Sequence, residues 1–163
     1  MMRIGFGYDV HHLILGRKLI LGGEIISYEK GLDGHSDADV LIHSIIEALL
    51  GAAGEGDIGQ HFPDNDERYK DISSLKLLRK TYEILKGKKF AINNIDISVV
   101  LEEPLLTPFI IKMKNNIAKV LKISSRRINI KATTNEKMGF IGRKEGIASY
   151  CVVSLTYAPR NMK

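Results

Sequence analysis

Cysteine, tryptophan and long apolar runs are the scarce features of this chain. One cysteine, Cys151, occurs in 163 residues. A single thiol closes no intrachain disulfide, so the fold is expected to rest on its core and to suit a reducing compartment. Cys151 lies in the apolar run IASYCVVSLTYA, the setting of a buried structural thiol rather than a nucleophile. No apolar run approaches the roughly 20 residues that a membrane-spanning helix needs. The opening MMRIGFGYDV also lacks the charged-then-apolar pattern of a secretory signal. A soluble, cytoplasmic protein without membrane contact is expected. Tryptophan is absent, and Lys+Arg 24 against Asp+Glu 19 gives a net charge of +5. These basic residues are dispersed, so nucleic acid is not expected as a partner, whereas a phosphorylated ligand suits the surplus. Also missing are a G-x-S-x-G elbow, a P-loop and a convincing Cys/His pair. That inventory suits a reaction whose substrate brings its own anionic nucleophile while the protein supplies metals and positioning.

The chain contains no low-complexity linker and no internal repeat. A single domain over residues 1–163 has the size to bury roughly 70% of the surface exposed when unfolded. Residues 3–9 and 18–28 read as strands. Ser36, with Asp39 three residues on, reads as a capping box opening a helix, and VLIHSIIEALLGAAG carries it to the glycines at 51 and 54. That helix is apolar on nearly every side and must be buried; His43 and Glu47 interrupt it four apart. A second helix is expected from Ser73 to Lys86, with Gly87 as its stop. A strand is expected over INNIDISVVLEEP, and a third helix from Thr107-Pro108 to Lys122. RINIKATT and IASYCVVSLTYA read as further strands around the loop MGFIGRKEG. This order predicts an α+β fold, a mixed sheet with helices packed on one face.

Two clusters carry chemistry. In GYDVHH, residues 7–12, a strand points Asp9 and His11 to one face and Val10 and His12 to the other. His43, inside the buried helix, is the third candidate ligand. Two imidazoles and a carboxylate leave a tetrahedral ion one open position, as in catalytic zinc, and the same set suits iron or manganese. A hydrogen-bonded core histidine beside a strand-ending Asp fits the same residues, and spacing alone leaves both open. For phosphate, His35 and Ser36 stand where the helix N-terminus would attract an anion. ATTNEK, residues 132–137, sets Thr133, Thr134, Glu136 and Lys137 after a strand, with Arg143 further on. Hydroxyls and Lys137 could hold phosphate oxygens while Glu136 takes a hard cation, although a polar turn would carry the same residues.

GFGYDVHH, KGLDGHSDADVLIHSIIEALLGAAGEGDIGQHFPDND and IKATTNEKMGFIGRKEGIA stand in an order and spacing that resemble the 2-C-methyl-D-erythritol 2,4-cyclodiphosphate synthase family. The resemblance extends from Arg3 to Val153. It implies zinc on Asp9, His11 and His43, and magnesium or manganese on Glu136 with the substrate phosphates. It implies phosphate binding by His35 and Ser36, with Asp9 and His11 also against the substrate, and ribose binding by Asp57 and Gly59. Thr133, Thr134 and Glu136 would contact phosphates and nucleotide, Phe140 and Arg143 would complete the substrate site, and His35 and Thr134 would act as catalytic residues. The segment ending Pro104-Leu105-Leu106 matches a cytosine-recognising loop. The implied reaction converts 4-diphosphocytidyl-2-C-methyl-D-erythritol 2-phosphate to the cyclic 2,4-diphosphate and CMP, a phosphorus-oxygen lyase step of the non-mevalonate isoprenoid route. The implied assembly is a homotrimer with active sites between subunits. A metal-dependent phosphohydrolase and a nonenzymatic nucleotide-binding module are the rival classes.

Overall fold

The structure is a computed structural model and describes residues 1–158; the last five residues of the expected domain lie outside the described residues. The strands are β1 (Met2–Leu15), β2 (Leu19–Leu21), β3 (Glu24–Ile26), β4 (Lys30–Leu32), β5 (Phe90–Val100), β6 (Ile128–Thr133) and β7 (Gly146–Tyr157). The helices are α1 (Val40–Ala53), α2 (Ile58–His61), α3 (Ser74–Gly87), α4 (Ile110–Leu121) and α5 (Gly139–Gly142). Five strands form one sheet in the order β4-β1-β7-β5-β6, with β2 and β3 as a separate ribbon. Only β5 and β6 run parallel, joined through α4, so the sheet is mixed as expected.

Alternation along β1 decides which face receives the helices. Gly5 and Gly7 are buried, whereas Ile4, Phe6, Tyr8 and Val10 are exposed on the other face. Helix α1 lies against β1 and β7, and α3 lies against α1. Isoleucine and leucine on every side of α1 are buried, and one continuous core runs between sheet and helices. Two glycines make the close approach of α1 possible. A Cβ on Gly5 would stand 2.7 Å from Ala52 N, and one on Gly7 would stand 2.6 Å from Ala48 N. Any side chain at either position would collide with helix backbone.

Several boundaries differ from the sequence reading. The first strand continues past residue 9, because β1 pairs with β7 through His12 and then with β4 from Leu13 to Leu15. The expected strand 18–28 is a tight hairpin, since Gly22 and Gly23 take φ of +58° and +74° and turn the chain. Ser36 does not cap α1. The cap is Asp39, fully buried, whose carboxylate accepts from Ile42 N at 3.1 Å, Gly22 N at 3.0 Å and Gly23 N at 2.7 Å. His35 and Ser36 therefore stand ahead of this helix end rather than at its cap. The third helix begins at Ile110, not at Thr107, and ends with Lys122 in the left-handed region rather than with a glycine. Residues 101–104, read as strand, lie beyond the end of β5.

Candidate metal and nucleotide site

Asp9 and His11 leave β1 together toward α1, and His43 meets them from the first turn of that helix. Asp9 Oδ2 lies 3.0 Å from His11 Nε2 and 3.0 Å from His43 Nδ1, and the two ring nitrogens are 3.2 Å apart. Donors about 2.0–2.1 Å from a tetrahedral zinc ion stand about 3.3 Å from one another, so this triangle has the size of a metal's ligand face. Among the described residues, these three form the His/Cys/Asp/Glu cluster able to hold a metal ion.

The outward ring atoms agree with that use. His11 Nδ1–H donates to the Asp33 carbonyl at 2.6 Å, which leaves the Nε2 lone pair for the cluster. His43 Nε2 faces two hydroxyls, Ser74 Oγ at 2.9 Å and Ser36 Oγ at 3.2 Å, and its Nδ1 points at the same place as His11 Nε2. Burial works against ionisation of Asp9, but the hydrogen bonds and charges of His11 and His43 outweigh it and hold its carboxyl at about 2. Burial likewise opposes charge on His11, but its bond to Asp9, the Asp9 charge, the Asp33 carbonyl and the charge of Asp64 together raise its pKa above the ordinary 6.5. An anionic oxygen between two imidazoles is a cation-seeking centre.

The triad opens into a pocket lined also by His35, Ser36, Ile58, Gly59, Phe62, Asp64 and Tyr69. His35 is anchored by its Nε2–H to the Asp66 carbonyl at 3.1 Å. Asp57 caps α2, accepting from Gln60 N at 2.9 Å. Glu47, noted in the sequence only for its spacing from His43, reaches out of α1 to accept from Ile58 N at 3.0 Å; it ties the Asp57–Gly59 turn to the helix that carries His43.

A second groove lies elsewhere on the chain, between Leu101, Glu102, Pro104, Leu105 and Leu106 on one side and Ala132, Thr133 and Thr134 on the other. Thr134 Oγ1 donates to Glu136 Oε1 at 3.3 Å. Glu136 and Lys137 take φ of +52° and +61°, and Glu102 holds this turn by accepting from Asn135 N at 2.9 Å and Lys137 N at 3.1 Å. Neither Thr133, Thr134 nor Glu136 lines the triad pocket of the same chain. Arg143 is paired with Glu145, Nε to Oε1 at 2.9 Å and a terminal nitrogen to Oε2 at 3.0 Å. Phe140 lines a hollow with Val10, His11, His12 and Gly146; His12 is exposed, on the strand face opposite to Asp9 and His11.

Asp64, Phe62 and Tyr69 join the pocket without having been singled out from the sequence. Asp64 had a signal, an acid in the quoted FPDND, but its loop has no periodicity from which to derive its direction.

Sheet, helix layer and donor set together define an α+β protein with a candidate metal centre of the open, three-ligand type. The YgbB family model matches residues 2–156. The chain belongs to this family, and its curated relatives are 2-C-methyl-D-erythritol 2,4-cyclodiphosphate synthases. The one from Geotalea uraniireducens is 58% identical over 154 residues, covering 94% of this chain and 98% of the relative. The one from Desulforamulus reducens is 57% identical with the same coverage. Among solved structures, the bifunctional IspDF from Campylobacter jejuni superposes with a TM-score of 0.93 at 46% identity, over 96% of this chain and 42% of that longer one. IspF from Plasmodium falciparum, solved as a CDP complex, has a TM-score of 0.86 at 34% identity, over 97% of both chains.

Proposed function

We propose that this chain, as one catalytic domain, converts 4-diphosphocytidyl-2-C-methyl-D-erythritol 2-phosphate to 2-C-methyl-D-erythritol 2,4-cyclodiphosphate and CMP. The observation that carries the reading is the convergence of Asp9, His11 and His43 beside His35 and Ser36 in a chain of this family. An oxygen of the 2-phosphate forms a bond to the β-phosphorus of the diphosphate. The bond from that phosphorus to the bridging oxygen breaks, and CMP leaves with the oxygen and its electron pair. The attacking phosphate is already anionic near neutral pH, so no protein base is needed, in keeping with the absence of an activated Ser or Cys. The class is a CMP-forming phosphorus-oxygen lyase.

Asp9, His11 and His43 would hold zinc, and Glu136 would hold magnesium or manganese with the substrate phosphates. These cations would supply charge neutralisation and alignment of the phosphate oxygens. Ser36 and the anchored His35 bind the methylerythritol phosphate side, and Asp57 with Gly59 takes the ribose. Thr133 and Thr134 donate hydroxyls to the diphosphate, and the 101–106 loop receives the cytosine. His35 and Thr134 would act as the catalytic residues, while Phe140 and Arg143 would complete the substrate's surroundings. Holding both phosphates in one pocket is the main contribution such a site makes to an intramolecular transfer.

The separation of the triad pocket from the Thr133–Glu136 groove supports a homotrimer, in which each active site joins the triad of one subunit to the nucleotide groove of its neighbour. The face of β1 and β7 away from the helices supports the same assembly. It exposes Ile4 (64%), Phe6 (63%), Tyr8 and Val152, more contiguous apolar surface than a solvated sheet face carries. A cytoplasmic location is part of the proposal; no helix among the described residues is long and apolar enough to cross a membrane.

Phosphorus NMR of the purified protein with this substrate and magnesium tests the reading. Cyclic diphosphate and CMP are expected, abolished by a strong chelator and by His43→Ala. Release of inorganic phosphate would point to a phosphohydrolase, and turnover unaffected by His43→Ala would refute the metal assignment.

A further inference from the structure

His43 can serve as a ligand through Nδ1 only if its proton sits on Nε2, and the buried groups behind the ring bear on which nitrogen carries it. Ser74, the first residue of α3, is fully buried and its Oγ lies 2.9 Å from His43 Nε2. A hydroxyl can donate or accept, so Ser74 alone would not choose between the two tautomers. Asp37 makes the choice. Its Oδ2 accepts from Ser74 N at 3.0 Å, and its Oδ1 accepts the Ser74 hydroxyl. With the hydroxyl hydrogen committed to a carboxylate, Ser74 presents only lone pairs to the ring. His43 must then donate from Nε2, and the Nδ1 lone pair faces Asp9 and His11. Asp37 is itself fixed, its backbone N–H bonded to the Ile72 carbonyl at 3.1 Å. Helix α3 has no cap from its own Ser73 side chain, so the carboxylate that orients the ring also closes the helix end that positions Ser74.

We infer that Asp37 and Ser74 form a positioning relay that fixes His43 as an Nδ1 metal ligand, with Ser74 as obligate acceptor and Asp37 as the group that makes it one. The inference rests on the metal assignment proposed above and adds two residues that touch neither the ion nor the substrate. Ser36 Oγ, 3.2 Å from the same nitrogen, accepts from Ala38 N at 3.2 Å and is the more distant of the two hydroxyls on that side of the ring.

Two variants in the full chain test this, with circular dichroism to check folding. Ser74→Ala removes the acceptor. Asp37→Asn keeps an acceptor oxygen for Ser74 N but can turn an amide N–H toward the hydroxyl, which frees that hydroxyl to donate to the ring. Zinc affinity is read by chelator competition, and the His43 tautomer is read by long-range proton–nitrogen NMR of the metal-free protein. Groups that orient metal-bound histidines typically change affinity 10- to 100-fold, so Ser74→Ala is expected to weaken zinc binding about tenfold or more. Asp37→Asn is expected to move His43 toward the Nδ1–H form with a comparable loss. Zinc affinity within a factor of two of the parent in both folded variants, with the tautomer unchanged, would overturn the relay while leaving the metal site standing. A parent protein that binds no zinc would overturn both, and that result is read before any variant is made.

Discussion

Gly7 lies outside the Asp9–His11–His43 cluster, yet Gly7→Ala should disable the proposed metal centre. A Cβ at this position lies 2.6 Å from Ala48 N and closer still to the Ser44 carbonyl oxygen, against about 3.4 Å for ordinary contact. Helix α1 must therefore retreat from β1 by at least about 0.8 Å, the difference between those two distances. Both obstacles are backbone, so no rotamer change relieves them, and the cost falls toward the upper part of the range for overpacking, about 2–3 kcal/mol. Ser44 is the residue after His43, so His43 moves with the obstacle. Metal sites hold their distances to about 0.2 Å, and a displacement several times larger should weaken zinc binding at least about tenfold. The assays are urea denaturation for stability and chelator competition for zinc. Gly87→Ala is the control, because nothing lies within 4 Å of its added Cβ and a small gain of stability is expected there without change in zinc affinity. A Gly7→Ala protein with parental midpoint and zinc affinity would refute the claim that a glycine-cleared contact sets the ligand distances.

The Asp9–His11 pair should leave a signature in the pH dependence of the metal-free protein. Asp9, held at about 2 instead of 3.8, stabilises the fold above pH 3.8, worth about 2 kcal/mol by linkage, and loses this as pH falls through 2. His11, raised above 6.5, stabilises below 6.5 and loses its contribution as pH rises through its elevated value. The stability difference between parent and Asp9→Asn should therefore peak at about pH 4–6; a difference independent of pH from 3 to 8 would contradict the pairing. Glu102→Ala should release the Asn135–Lys137 turn, raising KM for the substrate and the magnesium needed for half-saturation several-fold, with zinc affinity at the triad unchanged. Unaltered kinetics would show that the turn holds without Glu102.

How much of this was legible beforehand differs between elements. Helix α1 was readable because an apolar stretch of that length, closed by glycines, has few other solutions, and Asp9 and His11 shared a face by the period of a strand. The cap of α1 was misread, because Ser36 and Asp39 are both good capping residues. The choice went to Asp39 through Gly22 and Gly23, donors from a distant hairpin that no local pattern announces. Glu47 and Glu102 each hold a turn through backbone N–H groups elsewhere in the chain, and such bonds have no spacing rule.

By itself, the sequence determined the family, the alternation of sheet and helix, and the three residue types able to share a cation, since these depend on local periodicity and on long motifs held in register. Tertiary structure alone decided that His43 reaches Asp9 and His11, that His43 offers Nδ1 while His11 offers Nε2, and that the Thr133–Glu136 groove lies apart from the triad in one chain. Those outcomes depend on where a helix is allowed to rest on a sheet. Two glycines without side chains and a buried carboxylate with three backbone partners set that position, through contacts between segments that the order of residues leaves far apart.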